Sequence, residues 1–370
     1  MLNKTVGSVF ILVGGTIGGG IFVLPLVSAN VGFVHSAILL LATLLLTTFS
    51  SLLILKVCLN FKPYRNNFGT MTKATLGRMG QIIVCACYLI AIYTAISAFL
   101  CGSTSLADVT LKNYMHITIP AYLDTTAITL IFGLIIFLGI SKIDWCMRFL
   151  TTSKGILLVA ILCVLLPYAN VNKIFAAEFR FTHIGFLIPV FINAFGYHAL
   201  IPSICNYCDN NSRKVRKIIF ISAAVILIIY TIWLLAVFSI IPQNGKISFS
   251  TIALRHSSIG GLTSALIGLT HNRYVLYAVN FFSDIAIGTS LLGLSLCLFD
   301  FIADGLNRAN NRKGRLQTAL LTFIPPFLFA LYYKHGFTLM FQFSSIFAMV
   351  LIIFLPILMM YRLKYTKCRD

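Results

Sequence analysis

The sequence predicts an all-α, polytopic membrane protein: ten transmembrane helices in two sets of five, with the first helix of each set broken near mid-membrane. Three observations predict it. The 370-residue chain is 59% hydrophobic, carries 10% charged residues and has a mean hydropathy of +0.95, far from the averages of soluble domains. Its charge-free runs repeatedly reach or approach the ~20 residues that cross a ~30 Å hydrocarbon layer as a helix. Glycine and proline interrupt the first run of each set, at Gly14 to Gly20 with Pro25 and at Gly196 with Pro202.

The longest run, Thr5 to Leu55, has 51 residues without Asp, Glu, Lys or Arg, so it must fold back on itself, and the polar break from Asn30 to His35 marks the turn. No small-residue cleavage site follows its apolar start, which reads as the first span rather than a signal peptide. Further runs at about 81–107, 124–141, 151–168, 184–205, 218–241, 274–302, 316–333 and 337–361 bring the count to ten. They are continuous rather than alternating, which argues for helices over a barrel, because a helix satisfies its own backbone polar groups in lipid. His256 to Asn272 is also charge-free, but its Ser, Gly and Thr content makes it a poor span. Counting it would carry Arg308, Arg312, Lys313 and Arg315 to the outer side, so it reads as an external or re-entrant segment.

The formal charge of +19 would suit a nucleic-acid partner only if the charges were clustered for one. With the N-terminus and C-terminus cytoplasmic, the inner segments (the N-terminus, 56–80, 142–154, 206–217, 303–315 and 362–370) hold 21 of the 28 Lys and Arg residues and the outer segments hold seven. That is the positive-inside rule, so the partners implied are anionic membrane lipids and not nucleic acid. Ten cysteines are spread mostly through the spans. Cys205 and Cys208 form a lone C-x-x-C without a second pair, and read as reduced thiols packed as small hydrophobes, with no metal implied.

No soluble domain fits. The chain reads as one transmembrane domain, 1–370, with one repeat at about 1–168 and a second at about 184–361. The first helix of the first set contains five glycines in seven positions, Gly14, Gly15, Gly18, Gly19 and Gly20, followed by Pro25. Glycine is the poorest ordinary helix former and proline interrupts the hydrogen-bond ladder. The counterpart in the second set is Asn193 to Ser203, interrupted at Gly196 and Pro202. Small-residue clusters also let helices pack closely. Interruptions at matched places in two halves, however, point to a transporter built on inverted repeats, in which freed N–H and C=O groups meet the substrate at the midplane. A half-helix N-terminus there adds a positive dipole end for a carboxylate.

Three stretches carry a resemblance. Gly-Gly-Thr-Ile-Gly-Gly-Gly-Ile-Phe-Val-Leu-Pro at 14–25 is similar to the opening helix of the bacterial hydroxy and aromatic amino acid permeases, which include tyrosine- and tryptophan-specific members. Phe195 to Ser203 resembles their sixth-helix motif. Thr289 to Gly293, followed by Leu298 to Asp304, resembles their eighth-helix signature. The resemblance covers the chain from end to end and implies the leucine-transporter-like, five-plus-five fold of the amino acid/polyamine/organocation superfamily. It implies import of an aromatic amino acid, tyrosine or tryptophan, across a bacterial inner membrane with a proton as coupling ion. Exchange, or another small neutral amino acid, stays open beside it. Two departures stand out: ten runs where family members usually have eleven spans, and an acid at Asp284.

The breaks nominate Thr16, Gly18, Gly19, Gly20, Asn193, Phe195, Gly196 and His198 as substrate-binding residues. An aromatic side chain needs an apolar pocket, to which Phe195 and Tyr197, with Tyr88 and Tyr93 of the third helix, are candidates. Asp284 is the acid placed well inside a span, and an intramembrane acid is a functional candidate by default; it either couples protons or sits on a solvated rim. His198 either relays a proton or is a hydrogen-bonded packing residue. Thr289 and Ser290 either tie the eighth helix to the first or bond their own backbone. Asp300 and Asp304, near Arg308, Arg312 and Arg315, form either a cytoplasmic gate or a solvated boundary. The chain lacks H-E-x-x-H, G-x-S-x-G and a phosphate loop, so nothing in it suggests an enzyme or a cofactor. A sensor that binds without transporting is the remaining class.

Overall fold

The computed structural model describes residues 4–61, 68–114, 116, 119–138, 140–175, 184–254, 258–306, 311–333 and 336–367. Among them, nine helices are long and apolar enough to cross a membrane, and a tenth span forms from two short helices bent by 51°. That pair is α1 (Lys4–Thr16) and α2 (Gly20–Ser28). The turn expected at Asn30 to His35 follows at residues 29–31, and α3 (Gly32–Cys58) returns across the bundle. Next come α4 (Phe68–Tyr114), α5 (Ala121–Leu138), α6 (Ile140–Leu165) and the short α7 (Val171–Ile174). Helix α4 turns a corner at Gly77, whose φ of 74° is left-handed and suits glycine.

The second set opens with α8 (Ile184–Ala194), a 3₁₀ turn at Tyr197–Leu200, and α9 (Ile201–Tyr207). Then α10 (Ser212–Ile240), the short α11 (Phe249–Leu254) and α12 (Ile259–Thr270), and the long α13 (Arg273–Gly305) follow. The set closes with α14 (Arg312–Tyr332), α15 (Phe337–Met349), a π turn at Val350–Phe354 and α16 (Leu355–Lys367). The charge-free stretch at 256–272 therefore contributes a 12-residue helix, too short to span. Capping follows sequence: Asn211 and Asn311 accept from Lys214 N–H and Gly314 N–H at the starts of α10 and α14.

Packing repeats between the two sets. Helix α4 packs on α5 as α13 packs on α14, α6 lies on α13 as α15 lies on α4, and α3, α10 and the broken helices form the remaining bundle. The fully buried α2 sits in the middle, with Ile21, Phe22, Val23 and Leu24 sealed against the core. The periphery is apolar: Phe10 is 69% exposed, Leu130 67% and Ile156 67%. That surface would be a liability in water and suits hydrocarbon.

Proline inside a span frees a carbonyl one turn back, and neighbouring helices answer it. Pro325 in α14 cannot donate to Leu321 O, which accepts from Tyr93 Oη of α4 at 2.9 Å. Pro356 in α16 cannot donate to Ile352 O, which accepts from Ser50 Oγ of α3.

Candidate functional site

At the first break, Ile17 N–H still donates to Val13 O at 2.9 Å, and helical bonding resumes only with Ile21, Phe22 and Val23 donating to Gly18 O and Gly19 O. The peptide groups interrupted in between find partners on three other helices. Gly14 O accepts from Lys154 Nζ of α6 at 2.9 Å. Thr16 O accepts from Tyr230 Oη of α10 at 3.2 Å. Gly19 N–H donates to Ser290 Oγ of α13 at 3.2 Å.

Space explains the glycines here better than backbone freedom, since none of Gly14, Gly18, Gly19 and Gly20 has a positive φ. A Cβ at Gly14 would stand 2.4 Å from Thr151 Cγ2, one at Gly18 2.1 Å from Ser290 Oγ, and one at Gly19 1.9 Å from the Phe99 ring. Gly20 has more room, 3.6 Å to Ala194 Cα and to Tyr230 Oη.

At the second break, Phe195 N–H, Gly196 N–H and Tyr197 N–H turn back to Ile192 O, Asn193 O and Phe195 O. Ala194 O accepts from Tyr230 Oη at 2.9 Å. One phenol thus reaches a carbonyl at each break. Its ring is fully buried and stands edge-on to Phe195, centroids 5.7 Å apart.

The other nominated residues divide into those at the breaks and those elsewhere. Thr16 Oγ1 bonds its own helix at Leu12 O, 2.7 Å away. Asn193 Nδ2 donates to Ser345 Oγ of α15 at 3.0 Å. His198 is buried and turns toward α3, its Nε2 3.0 Å from Thr47 O and 3.1 Å from Ser51 Oγ, with the Tyr197 ring stacked on it at 5.3 Å. Thr289 and Ser290 each donate to Ala286 O at 3.0 Å and also reach outward, Thr289 Oγ1 accepting from Lys154 Nζ at 3.3 Å. Ser290 thus bonds its own backbone and also meets the first helix at Gly19 N–H, whereas the outward contact of Thr289 is to α6.

The Tyr88 ring meets Phe301 at a tilt, centroids 4.8 Å apart, eleven residues, or about 16 Å along the helix, from Phe99. Tyr93 serves α14, as above. At the level of the break, α4 instead offers Phe99, whose ring also meets Phe341 at 6.0 Å. Asp284 lies on an exposed face of α13 shared with Phe281, 58% exposed. Asp300 is exposed near the end of α13. Asp304 belongs to the same helix, but its side chain lies outside the described residues, as does all of Arg308. Arg315 donates from Nε and Nη2 to Phe137 O and Ile136 O, both at 3.0 Å, closing the end of α5.

Sequence reasoning missed Lys154, Tyr230 and Phe99. Lys154 is 4% exposed and among the described residues forms no ion pair. Counting it in the basic loop 142–154 hid it, because α6 already begins at Ile140. The signal present was a cation followed by a full apolar run with no polar break between them. Lys4 Nζ pairs with Asp209 at 2.9 Å, joining the start of α1 to the segment after α9. The hydrogen-bonded Lys4 ammonium holds the Asp209 carboxyl below the usual carboxylate range.

A family model described as the tryptophan/tyrosine permease family matches residues 1–370. The chain belongs to this family. The permease is 34% identical over 339 residues to the tyrosine-specific transport system 1 of Haemophilus influenzae, covering 91% of this chain and 83% of that relative. It is 30% identical over 367 residues to the tryptophan-specific transport protein of the same organism, covering 95% and 86%. The family is one of multi-pass membrane transporters, not enzymes. Among solved structures, the permease resembles Mhp1, a nucleobase-cation-symport-1 family transporter in a closed conformation with bromovinylhydantoin bound. The TM-score is 0.59 at 11% identity over 94% of this chain and 91% of that one. The likeness shows the fold, a leucine-transporter-like bundle with broken first and sixth helices.

Proposed function

We propose that the permease imports tyrosine or tryptophan across a bacterial inner membrane by alternating access, driven by the proton gradient, with both termini cytoplasmic. The orientation is supported by the 21 of 28 basic residues that it places inside. The two sets of five, about 1–168 and 184–361, act as inverted repeats, and the bundle of the broken helices with α3 and α10 rocks against the other bundle to expose the breaks to either side. The substrate carboxylate binds at the start of α2, where Gly18, Gly19 and Gly20 leave the backbone bare and the helix dipole is positive. Its ammonium binds the carbonyls at the ends of α1 and α8. Phe99 and Phe195, both buried beside the breaks, meet the aromatic ring, and Asn193 and Gly196 shape the second break around it.

The observation that carries proton coupling is the Lys154 ammonium, held within a span by two neutral acceptors, Gly14 O and Thr289 Oγ1. Among the described residues that ammonium has no carboxylate partner, so its proton is shared only with these two acceptors. These acceptors belong to a broken helix and to α13, so protonation ties the two together and deprotonation releases them. Lys154 has the position for coupling that the exposed Asp284 lacks.

Uptake of radiolabelled tyrosine, tryptophan and phenylalanine into vesicles, with and without an imposed pH gradient, tests the reading. The wild type accumulates tyrosine or tryptophan only with the gradient, and Lys154→Met equilibrates substrate without accumulating it. Accumulation that follows a sodium gradient, or a Lys154→Met variant still driven by protons, sinks the coupling assignment. Binding without uptake indicates a sensor.

A further inference from the structure

Resting on the transport reading, we propose that the Tyr230 hydroxyl is the empty carrier's substitute for the substrate ammonium, a positioning group that lets the unloaded protein return across the membrane. The geometry is specific. A single fully buried phenol reaches Ala194 O at 2.9 Å and Thr16 O at 3.2 Å, one carbonyl from each broken helix. These are the peptide groups that an arriving ammonium would take.

The two donors differ in capacity. A phenol has one proton and shares it between the two carbonyls. An ammonium carries three protons and a charge, satisfies both carbonyls at once, and forms hydrogen bonds roughly twice as strong as neutral ones. The substrate therefore displaces the hydroxyl without losing a partner at either break. When the substrate leaves, two buried carbonyls would be orphaned unless something replaces it, and an orphaned buried acceptor is costly. Tyr230 is in reach of both and needs no solvent. The half-helices can then move together while empty, with the ends of α1 and α8 still bridged.

Net uptake and exchange separate the idea from a plain packing role. Net uptake requires the empty carrier to return, whereas exchange of internal for external substrate uses loaded crossings in both directions. Tyr230→Phe keeps the ring edge-on to Phe195 and removes only the hydroxyl. The expected result is a rise in the ratio of exchange rate to net uptake rate on the order of tenfold, the factor corresponding to about 1.4 kcal/mol.

A binding readout guards against a merely unstable variant. The purified Tyr230→Phe protein is expected to melt lower than wild type when empty. Saturating tyrosine or tryptophan should close most of that gap, so the ligand-induced shift in Tm is larger in the variant. Exchange and net uptake reduced by one common factor, or both unchanged, overturns the proposal. So does a Tm deficit that persists in full with substrate bound. A wild type that neither accumulates nor exchanges these amino acids would instead overturn the transport reading.

Discussion

Gly18 and Ser290 are the sharpest test of the first break at the scale of single residues. A methyl group at Gly18 would stand 2.1 Å from Ser290 Oγ, inside any allowed contact, so Gly18→Ala must push the hydroxyl away from Gly19 N–H. Ser290→Ala removes the same hydrogen bond without the steric conflict, at about 1 kcal/mol. Gly18→Ala is therefore expected to abolish uptake in vesicles while leaving the protein monodisperse in detergent, and Ser290→Ala to reduce uptake only severalfold. Equal effects would mean that the hydrogen bond alone matters. The glycine cluster was legible in the sequence because five glycines in a span are abnormal by composition alone. Lys154 was not, because a cation near a helix end looks the same in a loop and in the first turns of a span; only the fold brings Gly14 O to it. Tyr88 and Tyr93 lie against Phe301 and α14, away from the breaks, for a related reason. Residue type nominates an aromatic, but the height along α4 that faces the break is set by packing, and Phe99 is at that height.

Among the elements, α14 and α5 show how this bundle tolerates breakers and loose ends. Tyr93 Oη answers the carbonyl that Pro325 leaves open, and Arg315 closes α5 by donating to Phe137 O and Ile136 O while its guanidinium lies over Phe299 at 5.4 Å. Removing a charged donor costs about 1.5–3 kcal/mol and a neutral one about 1 kcal/mol. Arg315→Met is therefore expected to lower the melting temperature more than Tyr93→Phe. Neither substitution should change which amino acids compete for uptake, since both residues lie away from the breaks. A shift in competition between tyrosine and tryptophan in either variant would place α14 in the substrate pathway. The ten spans were legible because hydrocarbon thickness imposes a length that sequence displays directly. The short α12 was legible as a non-span from its Ser, Gly and Thr content and from the four basic residues that counting it would carry outward. The kink at Gly77 and the π turn at Val350–Phe354 were not, since each depends on what the neighbouring helix offers.

For the molecule as a whole, pH dependence separates two places where a proton could act. The Lys4–Asp209 ion pair joins the start of α1 to the segment after α9, and both partners are exposed, by 47% and 80%, so salt screens it. Lys4 lowers the Asp209 pKa in the folded state. A depressed carboxyl contributes its stabilisation above the unfolded value, near 3.9, and loses it only as pH falls through the still lower folded value. Between about pH 5 and pH 8 that contribution is constant, because both values lie below the window. Asp209→Asn is therefore expected to leave the shape of the uptake-versus-pH curve unchanged across that window, while removing the sensitivity of uptake to added salt that the ion pair confers. Lys154→Met should flatten the same curve without altering the salt response. The two variants measured side by side in one vesicle preparation assign the proton: a curve flattened by Asp209→Asn would move coupling from the buried junction of α1, α6 and α13 to the exposed ion pair at the start of α1.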